Sequence, residues 1–105
     1  MWRCLAVAVL IGGCGGGSPN VIERPAPPGT QEGRRVAVSS GCLACHTIGD
    51  NGNAEPGGDL THVGSRLDRD QIRRALVRPP APMPSFKGLP AAKRDALTDY
   101  LVALR

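Results

Sequence analysis

At 105 residues, with 41% hydrophobic and 21% charged side chains, the chain has room for one small domain and excludes anything larger. The aromatics are only Trp2, Phe86 and Tyr100, while 14 glycines and 10 prolines take up much of the remaining length, so the polypeptide alone has little to bury. Domains this poor in core are usually completed by a disulfide, metal, cofactor or second chain. The formal charge of +4 suits an acidic protein, an anionic lipid or a nucleic acid and does not choose among them.

Residues 1–13 carry Arg3, then the apolar run Leu5–Ile11, then two glycines before Cys14. The run is far short of the roughly 20 residues a bilayer span needs, so it reads as a secretory signal peptide. Ile11-Gly12-Gly13-Cys14 resembles the lipobox of bacterial lipoproteins, which makes Cys14 the expected lipidated N-terminus and leaves Cys4 in the discarded leader. The plainer alternative is an ordinary signal peptide with an incidental cysteine. From Gly15 to Thr30 the sequence is first Gly-rich, then Pro-rich, and without apolar periodicity. We therefore expect residues 14–30 to be a lipid-anchored, flexible tether, its 16 residues after Cys14 spanning about 20–24 Å r.m.s..

A first helix is predicted from Gln31 to Ser40, with Thr30 as N-cap, Glu32 in the first turn and Gly41 as the stop. It leads into Cys42-Leu43-Ala44-Cys45-His46, the Cys-x-x-Cys-His signature of covalent haem attachment. Two thiols one turn apart can add across the two vinyl groups of one porphyrin, and the next residue can offer its imidazole to the iron. Zinc is a competing reading, with His62 as a fourth nominal ligand. Redox-active or structural disulfide chemistry is another, although the strand-then-helix setting of a thioredoxin-like site is missing.

A second helix is expected from Arg69 to Arg78, where Asp68 and Gln71 form a capping-box pattern, Ile72, Ala75 and Leu76 share a face, and Pro79 stops it. It delivers the chain to Pro79-Pro80-Ala81-Pro82-Met83-Pro84, which reads as a stiff, extended segment. With Met1 lost in the leader, Met83 is the available thioether for the second axial position of a haem iron, and His62 is the alternative ligand. A third helix from Ala91 to Leu104 carries Leu97, Tyr100, Leu101 and Leu104 at helical spacing. No alternating strand pattern is visible. The expected fold is all-α, about three short helices wrapped around one covalently bound haem.

Over residues 31–105 this order of features resembles a class I cytochrome c. Gly33 stands where that family's first helix lets the last one cross closely, Leu97, Tyr100 and Leu101 resemble its C-terminal helix, and Met83 matches its axial methionine. The stretch from Asp59 to Arg66 is similar to bacterial members, including haem domains fused to copper-bearing subunits of terminal oxidases. The resemblance implies that Gly58 offers its carbonyl to the proximal His46 imidazole and that Arg66 pairs with a haem propionate. The chain departs from the family in having Gly58 where proline is usual, and Ala37 and Val38 where an aromatic is favoured one turn after the crossing glycine.

His46/Met83 ligation fills both axial positions, so the function expected is outer-sphere electron transfer rather than catalysis, at a potential higher than bis-His ligation gives. Arg66, Arg69, Arg73, Arg74 and Arg78, with Lys87 beyond, outnumber nearby carboxylates. They suit either a solvated helix face or a docking rim for an acidic, membrane-bound redox partner. A nucleic-acid partner is not expected, and the protein is expected to be a monomer at the extracytoplasmic, periplasmic face of a bacterial membrane. The alternative function is a haem-based gas sensor or peroxidase-like domain in which Met83 leaves the iron.

Overall fold

A computed structural model describes residues 21–105. The leader over 1–13, Cys4, the lipidation site Cys14 and the first part of the expected tether lie outside the described residues. Four helices are present among the described residues: α1 (Gln31–Ser39), α2 (Val63–Arg66), α3 (Arg69–Val77) and α4 (Ala91–Ala103). Three short strands accompany them: β1 (His46–Ile48), β2 (Asn51–Gly52) and β3 (Gly58–Asp59). The fold is thus mostly helical but not all-α. The strands are too short to show an alternating pattern, because their pairing is imposed by the closed loop after His46 and not by strand propensity.

Helix α1 ends as its sequence dictates: Gly41 takes φ +82°, a left-handed conformation that glycine adopts without a Cβ penalty. Its start differs from expectation. Thr30 occupies the N-cap position but its hydroxyl donates to the Pro27 carbonyl at 2.7 Å instead of capping the helix. Helix α3 carries the complete capping box, with Gln71 N–H donating to Asp68 Oδ1 and Asp68 N–H to Gln71 Oε1, both at 2.9 Å.

The core forms where α4 crosses α1 and packs on α2 and α3. A Cβ on Gly33 would run into the Ala96 carbonyl and the Tyr100 Cβ, so only glycine allows the helix backbones to approach this closely. Gly64 in α2 plays the same part against the end of α4, where its N–H donates to the Leu104 carbonyl at 2.6 Å. Val36, Ala37, Leu43, Ile48, Leu97, Tyr100 and Leu101 are buried around these crossings. Tyr100 supplies the aromatic bulk that Ala37 and Val38 do not.

Residues 21–30, expected to belong to the tether, lie against the domain. Ile22 is 5% exposed within the core, Glu23 N–H donates to the buried Asn51 Oδ1 at 2.8 Å, and Arg34 donates to the Arg24 carbonyl at 2.8 Å. One well-buried isoleucine and these hydrogen bonds are enough to dock a Pro-rich strap whose composition alone reads as unfolded.

Candidate functional site

The site is built around His46, the first residue of β1. Parallel pairing of β1 with β3 sets His46 opposite Gly58 and Thr47 opposite Asp59. This register brings His46 Nδ1 to 3.1 Å from the Gly58 carbonyl oxygen. A carbonyl can only accept, so Nδ1 carries the proton and Nε2 keeps the lone pair that a metal would use. Gly58 reaches this position with φ +87°. A proline could not adopt that angle.

Gly57 forms the wall beside the imidazole, and a Cβ there would collide with His46 Cε1 and Nδ1 and with the Cys45 carbonyl. Its own N–H donates to that same carbonyl at 2.6 Å, so the loop cannot simply step back. The sequence alone gave Gly57 no role. Its importance depends on the loop bringing it against a ring eleven residues earlier in the chain.

Cys42 lies in the one-turn 3-10 helix Cys42–Ala44 and Cys45 immediately after it; both are free thiols. Cys42 is almost completely buried, and desolvation of the thiolate pushes its thiol up to about 11.

Met83 arrives from the other side. The segment before it is not extended as predicted but turns back on itself, Met83 N–H donating to the Pro80 carbonyl at 3.0 Å. The turn is tied to the end of α3, whose last carbonyls need partners: Phe86 N–H donates to the Leu76 carbonyl at 2.7 Å and Ser85 Oγ to the Val77 carbonyl at 2.8 Å. Arg94, to which the sequence assigned no role, secures the far side of the loop from α4 by donating to the carbonyls of Lys87 and Leu89 at 3.1 and 2.8 Å.

His46, Cys45 and Met83 thereby line one cleft, completed by Pro56, Gly57 and Pro80–Pro82. A larger groove of about 590 Å³, lined by Val21, Ile22 and residues of α1, carries no metal-ligating set. The cleft itself is small, about 160 Å³, below the roughly 300–1,000 Å³ of common ligand sites. It is marked by its donors, an imidazole nitrogen, a thioether and a free thiol.

His62 does not join this set; its Nδ1 lies 3.0 Å from the Arg105 carbonyl. Among the described residues, no three His, Cys, Asp or Glu side chains gather as a metal site, so the geometry gives the four-ligand zinc reading no support. Arg66 also stands apart from the cleft. Its guanidinium donates to the Asp59 carbonyl at 3.2 Å and borders a separate groove with Arg69 and Arg105.

The model of the family described as cytochrome c oxidase, cbb3-type, subunit III matches residues 28–101. The chain belongs to this family. It is a class I cytochrome c haem domain of the kind found in terminal oxidase subunits, and its function is haem-based electron transfer with haem c and its iron. Searches of curated proteins and of solved structures gave no match. The strap residues 21–27 precede the matched region of this cytochrome c domain.

The basic residues expected at the docking rim divide in two. Arg69 is paired with Asp99 at 2.6 Å and Arg73 with Asp70 at 3.7 Å. Arg74, Arg78 and Lys87 are exposed and, among the described residues, have no carboxylate within ion-pair distance. Asp70, Arg73, Arg74, Val77 and Arg78 recur at helical spacing along one groove on α3. No helix among the described residues is long and apolar enough to cross a membrane.

Proposed function

We propose that the protein is a mono-haem c-type cytochrome that passes single electrons between respiratory-chain or dehydrogenase partners, tethered by a lipid on Cys14 to the extracytoplasmic face of a bacterial membrane. In this reading Cys42 and Cys45 hold the haem through thioethers, and His46 Nε2 and Met83 Sδ are the two axial ligands. Bound there, the haem supplies a one-electron iron couple. The observation that carries the reading is the commitment of His46 Nδ1–H to the Gly58 carbonyl while the imidazole and Met83 line the same cleft.

Each part of the site has a physical task. The Gly58 carbonyl fixes the tautomer and makes the imidazole a stronger donor. Met83 is a soft ligand that favours the reduced state, and the Pro80–Met83 turn holds it with little conformational freedom to lose. The unpaired cations Arg74, Arg78 and Lys87 favour an acidic partner in a short-lived, salt-sensitive complex.

Carbon monoxide titration of the reduced protein at neutral pH, with wild type and Met83→Ala side by side, tests the axial assignment. Wild type should resist the gas, and the variant should bind it and show a lower potential. Equal binding by both would remove Met83 from the iron and favour a gas-binding domain. Cys14→Ser should move the protein from the membrane fraction to the soluble one, and unchanged membrane retention would contradict the lipid tether.

A further inference from the structure

We infer that Asp59 is a positioning residue for the proximal histidine: its carboxylate, clamped by Thr47 and Thr61, holds the Gly58 carbonyl against His46 and thereby sets the donor strength of that imidazole. The inference rests on the His46-ligated haem proposed above, but it concerns residues outside the cleft.

Three donors converge on one oxygen. Asp59 Oδ1 accepts from the Thr47 hydroxyl at 3.1 Å, from the Thr61 N–H at 3.0 Å and from the Thr61 hydroxyl at 2.5 Å. Hydrogen bonding by Thr61, foremost, and by Thr47 also holds the Asp59 carboxyl below its ordinary range. Thr47 directly follows His46, and Asp59 directly follows Gly58, so the Thr47–Asp59 bond ties together the two strands whose previous residues make the His46–Gly58 contact. Arg66 holds the same corner by donating to the Asp59 carbonyl, and Gly49 N–H donates to the Thr61 hydroxyl at 2.8 Å.

Such a clamp is needed here. Gly58 sits at φ +87° and, as a glycine, has conformational freedom that the local sequence does not remove. Only two register pairs join β3 to β1, flanked by Leu60 N–H donating to the Thr47 carbonyl at 2.7 Å and Gly58 N–H to the Ala54 carbonyl at 2.6 Å. The side-chain clamp adds a restraint to this short ladder. A carbonyl kept close to Nδ1–H makes the imidazole more electron-donating and favours the ferric iron, and a loosened one gives a weaker donor and a higher potential.

The test compares haem-loaded wild type, Asp59→Ala and Asp59→Asn by reduction potential and by solvent exchange of the His46 Nδ1–H proton in NMR. Asp59→Ala should raise the potential, shifting the electron-exchange equilibrium about two- to fourfold, or roughly 20–35 mV at 59 mV per decade. It should also speed Nδ1–H exchange at least about tenfold, the extent expected if about 1.4 kcal/mol of restraint is lost. Asp59→Asn, whose amide oxygen can still accept from both threonines, should recover most of both effects. If Asp59→Ala does not fold, Thr47→Val, which removes a single donor, should shift both readouts in the same direction by a smaller amount.

Overturning results are an Asp59→Ala protein, or in its place a Thr47→Val protein, with unchanged potential and unchanged proton exchange, or an Asp59→Asn protein as perturbed as the alanine variant. The wild-type spectrum separates this from the underlying reading. A wild type without an axially ligated haem would refute the proposed function, whereas silent variants of a normal wild type refute only the clamp.

Discussion

Replacement of Gly57 by alanine should damage the seating of the His46 ring directly. The added Cβ meets His46 Cε1 and Nδ1 and the Cys45 carbonyl, and Gly57 cannot retreat without losing its 2.6 Å hydrogen bond to that carbonyl. Overpacking of this kind costs about 1–3 kcal/mol. Loss of the Gly57–Cys45 bond, and of the His46–Gly58 bond if the ring gives way, adds about 0.5–1.5 kcal/mol each. The sum with both bonds lost, about 2–6 kcal/mol, should appear in urea unfolding of the haem-loaded protein together with an altered ferric spectrum.

Gly58→Ala is the control. Its Cβ has no atom within 4 Å, but the residue sits at φ +87°, which costs a non-glycine residue about 1–2 kcal/mol. This variant should lose stability and keep its spectrum. A Gly57→Ala protein as stable as Gly58→Ala, with the wild-type spectrum, would refute the seating of the imidazole against Gly57.

Further outcomes follow from the same geometry. Ile22→Ala should cost about 2–3 kcal/mol in chemical unfolding, since a side chain 5% exposed leaves a cavity that the strap only partly closes; a loss under about 0.5 kcal/mol would return the strap to the tether. Charge reversal at Arg74 and Arg78 should slow electron exchange with an acidic partner at low salt and leave it little changed at high salt; equal slowing at every ionic strength would contradict steering. The folded-state pKa of Asp59 is depressed by Thr61 and Thr47, with Arg66 and His62 its charged neighbours. Its contribution to stability should therefore be complete above about pH 5 and disappear as pH falls through the usual carboxylate pKa of about 3.9 and below. Asp59→Asn should flatten that part of the stability–pH curve, and identical acid limbs would count against the clamp's energetic role.

The three longer helices were legible because their signals are local. The Asp68/Gln71 box, the Pro79 stop, the glycine at 41 and the Leu97–Leu104 spacing act within a turn or two of themselves, and the observed ends fall within a residue of those expected. The cysteines, His46 and Met83 stood out by residue type and spacing. What could not be read depends on contacts across the chain. Two-residue strands have no periodicity to detect, and the strap's fate turns on Ile22 finding the core. The Met83 turn is secured by α3 and by Arg94, whereas the turn of Thr30 to Pro27 is local and was masked by its N-cap position. The contact of Arg66 with the Asp59 carbonyl, seven residues apart, likewise exists only once the loop is folded.

Expression of the full chain in cells that carry haem-maturation machinery, followed by acid–acetone extraction and intact-mass measurement, tests the covalent haem most directly. The expected product is coloured, retains its pigment in the precipitated protein, and has the mass of the matured polypeptide plus one haem, joined at Cys42 and Cys45. A colourless product, or pigment that passes into the acetone, would contradict it.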